Sequence, residues 1–196
     1  MTLDELEARL RGDACVALDT NVMFGLRELG RLAVLVRAAN RAASTRIRLI
    51  VPALVHAEML HDLRCWLAEK EIPYRAEEIT KDLETKATEV VAFEAADGEG
   101  ASAHIFQVYP TTKEWHAAKC LNAISHLGLL KKAAEIPGKH FPATVDWFIA
   151  GQARGRGWLL VTRDRGPEFA GLERIGCDLL KNALQRLASA GSQPGR

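Results

Sequence analysis

Two apolar stretches that break off into polar residues decide the fold of this chain: ACVALDTN at residues 14–21 and WLLVTRD at residues 158–164. Each begins as a continuous apolar run, which is typical of a strand buried on both faces of a parallel sheet. The first run ends in Asp19, and the second is followed closely by Asp164. Because ligands bind where the carboxyl ends of parallel strands meet, both acids are predicted to lie at one functional edge.

The segments around these strands predict an α/β fold with a central parallel sheet. A Thr2–Glu5 capping box starts a lead-in helix, and further helices are predicted at about 25–43, 52–69, 144–154 and 178–188. Short strands are predicted at 48–51 and near 172–175. The expected architecture is a three-layer α/β/α sandwich formed by residues 1–188 as a single domain, with residues 189–196 as a disordered tail.

Residues 72–141 depart from the alternation of strands and helices and are predicted to form a helical insertion or cap. Two helical stretches are expected there, separated by the soft segment DGEGASAH at 97–104 and the short apolar piece IFQVY at 105–109. A second capping box, formed by Thr111 and Glu114, predicts the start of a helix that carries Trp115. Trp115 is expected to pack in a core.

Composition and charge narrow the function classes without choosing one. The 196 residues are 48% hydrophobic and carry a formal net charge of +1, which argues against a strongly basic nucleic-acid binder and a disordered chain. No apolar run approaches the roughly 20 residues that span a bilayer, so a cytoplasmic protein without a membrane segment is expected. The four cysteines form no CxxC pair, and HAEMLH at 56–61 is not HExxH, which disfavours a zinc site.

Four carboxylates are predicted to converge at the functional edge: Asp19, Glu58, Asp146 and Asp164. Glu58 falls in the first turns of the helix that follows Pro52, and Asp146 lies two residues after Thr144, a candidate N-cap. Four acids so placed would raise one another's pKa values unless a cation lay among them. Ligation by oxygen alone suits Mg²⁺ or Mn²⁺, and such a centre implies phosphoester hydrolysis by a metal-activated water.

The four acidic motifs, in this order, resemble the PIN-domain family of metal-dependent ribonucleases, and among them the VapC-like toxins of type II toxin–antitoxin systems. The matching segments are LDTN at 18–21, VPALVHAE at 51–58, ATVDWFIAGQA at 143–153 and LLVTRD at 159–164. The resemblance covers residues 13–66 and 142–185. It implies a PIN-like α/β/α sandwich in which a cluster of acids holds Mg²⁺ or Mn²⁺.

The resemblance also implies roles for individual residues. Asp19, Asp146 and Asp164 would be metal ligands, and Glu58 a further ligand or the group that orients the attacking water. Supporting hydrogen bonds would come from Thr20, Asn21 and Thr162, and Glu168 is a candidate outer ligand. The implied reaction cuts RNA to leave 5′-phosphate and 3′-hydroxyl ends, with an antitoxin as a protein partner and a homodimer as the expected assembly.

Cations that flank the motifs are candidates for holding the RNA substrate, because phosphate contacts supply most of its sequence-independent affinity. Arg163 and Arg165 bracket Asp164, and Lys139 and His140 precede the helix of Asp146. We therefore expect these four residues to bind substrate.

Three alternatives stay open at this point. Residues 72–141 are longer than the usual connection in compact toxins, which favours a PIN-domain RNA-processing nuclease that is not a toxin. A catalytically silent PIN-like RNA-binding module would keep the acids without cleaving. A phosphatase of the haloacid dehalogenase type also has an Asp at the end of its first strand, but it needs a second Asp where this chain has Asn21.

Overall fold

The computed structural model describes residues 1–23, 26–73, 75, 81, 88–117 and 144–190. The chain divides into two compact units. The sheet unit comprises residues 1–92, 157–163 and 173–196, and the helical unit comprises residues 93–156 and 164–172. Two of the predicted substrate-binding residues, Lys139 and His140, lie outside the described residues, as does the predicted helix beyond residue 117.

Within the described ranges, the sheet unit contains five parallel strands in the order β3-β2-β1-β4-β5. Their bounds are β1 (Cys15–Leu18), β2 (Arg48–Pro52), β3 (Thr88–Val91), β4 (Leu159–Val161) and β5 (Arg174–Ile175). In the central strand, Ala17 lies between Ile50 and Leu160, and all three side chains are buried. The predicted α/β class with a central parallel sheet is confirmed, and helices flank the sheet as the predicted sandwich requires.

The helices of the described residues include α1 (Leu3–Arg11), α2 (Thr20–Met23), α3 (Leu26–Ala42), α4 (Ala53–Glu69), α5 (Ala95–Val108), α6 (Thr144–Gly155) and α7 (Cys177–Ala190). In the sheet unit, α3 packs against α7 and β2, whereas α4 packs against β2 and β3. The Thr2–Glu5 capping box is confirmed, with the Thr2 N–H 2.7 Å from Glu5 Oε2 and the Glu5 N–H 3.2 Å from Thr2 Oγ1. None of the helices in the described ranges has the length and apolarity needed to cross a membrane.

Two predicted boundaries are wrong. Helix α7 continues to Ala190, two residues into the predicted tail, because its apolar positions keep their helical spacing and bury Leu184 and Leu187. Residues 191–196 lie outside the described residues. Within the predicted helical insertion, Thr88–Val91 forms a strand instead, and it pairs with β2 so that Val90 lies opposite Val51. The β-branched residues of TEVV favour an extended backbone once a neighbouring strand is present.

The predicted break at DGEGASAH is also wrong, because this segment lies inside α5 in the helical unit. The two glycines lower helix propensity, but tertiary packing overrides that loss. Helices α5 and α6 cross closely where buried Ala101 meets Gly151. Small residues at both positions let the two backbones approach, so the glycines belong to a packed helix pair.

The second predicted capping box is confirmed in the helical unit. The Thr111 N–H donates to Glu114 Oε2 at 3.1 Å, and the Glu114 N–H donates to Thr111 Oγ1 at 3.2 Å. The helical residues that follow carry Trp115, whose ring centroid lies 5.7 Å from that of Tyr109 and 6.5 Å from that of Trp147. Trp115 therefore packs in an aromatic cluster, as predicted.

A buried carboxylate that was not among the predicted residues ties α5 to α6. Asp97 is 4% exposed and accepts hydrogen bonds from Arg156 Nη2 at 2.8 Å, from Gln152 Nε2 at 3.1 Å and from the Glu94 N–H at 2.8 Å. Burial raises the pKa of Asp97, but the hydrogen bonds from Arg156, Glu94 and Gln152 outweigh it, and the pKa lies below its ordinary value. The carboxylate is therefore charged and stabilising at neutral pH.

Asp97→Asn is expected to lower the free energy of unfolding by about 1–3 kcal/mol at pH 7, because the charged hydrogen bonds to Arg156 are lost. Because the pKa of Asp97 is lower in the folded state, this stabilisation is complete above the pKa that the carboxyl has in the unfolded chain. It is lost as the pH falls through the pKa of Asp97 in the folded state. The difference between wild type and variant should therefore shrink below about pH 4 in denaturant titrations.

Asp178→Asn is the matched control, because Asp178 is an exposed acid that pairs with Lys181 at 3.1 Å. Exposed ion pairs contribute little to stability. Asp178→Asn should therefore change the free energy of unfolding by no more than about 0.5 kcal/mol at every pH. A difference between wild type and Asp97→Asn that is independent of pH would contradict the assigned role of the Asp97 charge.

Candidate active site

Asp19 lies at the carboxyl edge of the sheet, directly after β1. Leu18 is opposite Val161 in the register of β1 and β4, and the Asp19 N–H donates to the Val161 carbonyl at 3.1 Å. This register brings Asp19 and Thr162, the residues that follow the two strands, next to each other. The Asp19 side chain is nevertheless shielded from solvent, with the residue 3% exposed.

Three uncharged donors hold the Asp19 carboxylate. The Thr20 N–H donates to Oδ1 at 2.7 Å, and Oδ2 accepts from Asn21 Nδ2 at 2.9 Å and from Thr162 Oγ1 at 2.6 Å. Asn21 is itself held, since its Nδ2 also donates to Thr162 Oγ1 at 3.2 Å and its Oδ1 accepts the Arg163 N–H at 3.3 Å. The three predicted supporting residues thus all contact Asp19 and fix its orientation.

Glu58 is brought to the same edge by α4, which begins after Pro52 at the carboxyl end of β2. The Thr20 hydroxyl donates to Glu58 Oε2 at 2.5 Å. Thr20 therefore donates to both predicted acids of the sheet unit, through its N–H to Asp19 and through its hydroxyl to Glu58. One residue can bond both acids, through its backbone and its side chain, only because the two carboxylates lie close together.

The remaining predicted acids belong to the helical unit. Asp146 is half-buried in the first turn of α6, and Asp164 is half-buried beyond β4. Glu168 is fully buried in a short 3₁₀ helix, Pro167–Phe169. Asp19 and Glu58 thus lie together in the sheet unit, whereas Asp146, Asp164 and Glu168 belong to the helical unit. Of the predicted cations, Arg163 in the sheet unit and Arg165 in the helical unit are both exposed.

No protein-family model and no curated protein sequence matches this chain.

The residues of the sheet unit fit a hard divalent cation. No group of three or more His, Cys, Asp and Glu side chains that could hold a metal ion occurs within the described residues. Mg²⁺, however, is usually bound through only one or two carboxylates, with waters and substrate phosphates as its other ligands. Asp19 and Glu58 supply that donor set, and hydrogen bonds orient both carboxylates, as is usual for metal ligands.

His56 was not among the predicted site residues, although it precedes Glu58 by two positions on α4. Its Nε2 is buried and has no hydrogen-bond partner among the described residues. Burial lowers the pKa of His56 below its ordinary value, so the imidazole is neutral at pH 7. Sequence spacing could not show this, because the protonation state of a histidine depends on what encloses its ring.

Proposed function

We propose that this protein is a metal-dependent endoribonuclease that hydrolyses RNA phosphodiester bonds at the Asp19 edge. Two hydrogen bonds from Thr20 support the proposal. Its backbone N–H donates to Asp19 and its hydroxyl donates to Glu58. Two carboxylates that are oriented in advance at the carboxyl edge of a parallel sheet can bind a cation with little reorganisation. Asp19 and Glu58 would hold Mg²⁺ or Mn²⁺.

Each residue at the edge has a proposed task. Bound Mg²⁺ would supply charge stabilisation for the scissile phosphate and lower the pKa of a coordinated water. Thr162 and Asn21 keep the Asp19 carboxylate in one orientation, and Thr20 does the same for Glu58. Glu58 has two proposed roles, a further metal ligand or the group that orients the attacking water and accepts its proton. Asp146 and Asp164 are proposed as further ligands because their motifs resemble those of the PIN-domain family.

The RNA substrate is also proposed from that resemblance, with Arg163 and Arg165 as phosphate contacts. A narrower proposal is a VapC-like toxin that an antitoxin protein holds inactive. An RNA-processing nuclease without an antitoxin, and a silent RNA-binding module, remain the alternatives. An adjacent reading frame that encodes a small protein with a DNA-binding N-terminus would favour the toxin, and its absence would favour the processing nuclease.

Glu58→Gln tests the proposed function, with Glu69→Gln as its control on the same helix. Glu69 is exposed in the last turn of α4, whereas Glu58 is held by Thr20. We expect wild type and Glu69→Gln to cut a labelled single-stranded RNA in Mn²⁺ or Mg²⁺ and to leave 3′-hydroxyl ends. Glu58→Gln should be slower by about 100-fold or more, because removal of a general base costs about 10²–10⁴-fold.

Chelation of the metal with EDTA should abolish cleavage by wild type, and added Mn²⁺ should restore it. Cleavage that persists in EDTA, or equal rates for Glu58→Gln and Glu69→Gln, would refute the proposed mechanism. RNA binding without cleavage by the folded wild-type protein in either metal would favour the silent binding module.

A further inference from the structure

A long stretch of the sheet unit lacks acidic residues. Residues 29–57 contain no Asp or Glu but five arginines: Arg31, Arg37, Arg41, Arg46 and Arg48. An even spread of the 25 acidic residues over 196 positions would place about four in this stretch. The formal net charge of +1 therefore conceals a basic segment, about half of which belongs to α3.

The geometry of α3 puts three of these arginines on one face. Leu29, Leu32, Ala33, Val36 and Ala39 are buried and form the face that packs inward. At about 100° per residue, Arg31, Arg37 and Arg41 project from the opposite face within an arc of about 120°. All three are exposed, as is Arg46 beyond the end of the helix. We call Arg31, Arg37 and Arg41 the arginine face.

Helix α3, which carries the arginine face, follows Asp19 of the candidate site along the chain within the same unit. Helix α3 begins at Leu26, seven residues after Asp19, and leads back to the opposite sheet edge, where β2 begins at Arg48. From Arg31 to Arg41 the helix advances about 15 Å. Arg48 is not part of this face, because it lies in β2, where it bonds Glu89 at 3.0 Å and Cys15 Sγ at 2.9 Å.

We propose that the arginine face binds the phosphate backbone of single-stranded RNA and so holds the substrate beside the Asp19 edge. This inference rests on the proposed function, since it assigns a binding surface for the same substrate. Arginine recognises phosphate through paired hydrogen bonds as well as charge, and a row of guanidinium groups complements the regularly spaced charges of a polynucleotide.

The packing of α3 favours a polynucleotide over an anionic membrane. Helices that bind at a membrane surface insert their apolar face among the lipids. The apolar face of α3 is already buried, and the helix packs against α7 and β2. Within residues 29–42, the exposed side chains of α3 are Arg31, Arg37, Arg41 and Val34, the last of which is 56% exposed. Such a surface can contact a charged backbone without unfolding the unit.

The triple variant Arg31→Gln, Arg37→Gln, Arg41→Gln tests this surface. Its control, Arg64→Gln, Lys70→Gln, Lys113→Gln, removes the same charge from exposed residues elsewhere. Binding of a fluorescein-labelled single-stranded RNA would be followed by anisotropy in EDTA at several KCl concentrations. We expect the arginine-face variant to bind at least about tenfold more weakly and its salt slope to fall by about 2, since each single-strand phosphate contact contributes about 0.7.

Because binding is measured in EDTA, its outcome is independent of cleavage. If wild type binds RNA through this face but never cuts it, the nuclease proposal fails and the binding surface stands. Equal weakening in both triple variants, or an unchanged salt slope in the arginine-face variant, overturns the surface. The arginine-face variant is also tested for binding to phosphatidylserine vesicles and to polyglutamate. If it loses binding to either of these but keeps its affinity for RNA, the proposed RNA surface is overturned.

Folding is checked by circular dichroism and thermal unfolding of each variant. If the triple variant is unfolded, the double variant Arg37→Gln, Arg41→Gln replaces it, with Arg64→Gln, Lys70→Gln as its control. The expected fall in salt slope is then about 1.4, and an unchanged slope again overturns the proposal.

Discussion

Asp19→Asn is expected to lower RNA hydrolysis by about 100-fold or more and to abolish Mn²⁺ binding measured by calorimetry. The substitution removes the negative charge and replaces one carboxylate oxygen by an amide NH₂. Because Asp19 accepts from Thr20, Asn21 and Thr162, that amide must also face at least one donor. The amide NH₂ and the donor that it faces then lack an acceptor, which should lower the free energy of unfolding by about 1–3 kcal/mol. This loss is small enough to leave the protein folded.

Asp13→Asn is the matched control, because Asp13 is an exposed acid just before the same strand. It removes the same charge without touching the carboxyl edge, and we expect wild-type cleavage and wild-type Mn²⁺ affinity. Circular dichroism and the thermal midpoint would show that both variants are folded. Wild-type cleavage by a folded Asp19→Asn variant would refute the assignment of Asp19.

Gly151→Ala is expected to destabilise the helical unit strongly. A Cβ at position 151 would lie 2.5 Å from the Ala101 Cβ, 2.7 Å from its Cα and 2.9 Å from its N. Two of these three atoms are backbone, so the clash can be relieved only if α5 and α6 move apart. Overpacking of this kind costs about 3 kcal/mol or more, and the thermal midpoint should fall by about 6 °C or more.

Gly155→Ala separates the effect of the close contact from that of helix propensity, because no atom lies within 4 Å of a Cβ built at this end of the same helix. Alanine there should leave stability unchanged or raise it by up to about 1 kcal/mol. If Gly151→Ala and Gly155→Ala shift the midpoint equally, the close crossing of α5 and α6 is not what stabilises this unit.

Much of the fold could be predicted because the signals are local. The apolar runs of β1 and β4, the helix start after Pro52 and both Thr–Glu capping boxes depend on neighbouring residues, and the structure bears them out. The glycine-containing segment of α5 was misjudged, since its stability comes from contact with Gly151, about 50 residues away in the chain. The short strand β3 was missed because its pairing with β2 is not visible in its own four residues.

In the candidate site, too, some features could be predicted from local sequence and others depend on tertiary contacts. That Asp19 ends a buried strand could be predicted from the apolar run before it, and that Glu58 lies early in a helix from Pro52. That both acids lie at the same edge was predicted, but that the Thr20 hydroxyl bonds Glu58 could not be, because β1 and α4 are separated by α2, α3 and β2. The burial of Asp97 and the neutral His56 were missed for a related reason, since both depend on which groups enclose the side chain.

The sequence by itself determined most of the strands and helices and where the acidic residues stand relative to the ends of β1 and β4. These properties follow from hydrophobic periodicity, capping and charge along a continuous stretch of chain. Only the tertiary structure decided that β1 pairs with β4, so that Thr162 reaches Asp19, and that Thr20 joins Asp19 to Glu58. Such contacts join residues 38 to 143 positions apart, and their distances are set by how strands and helices pack together.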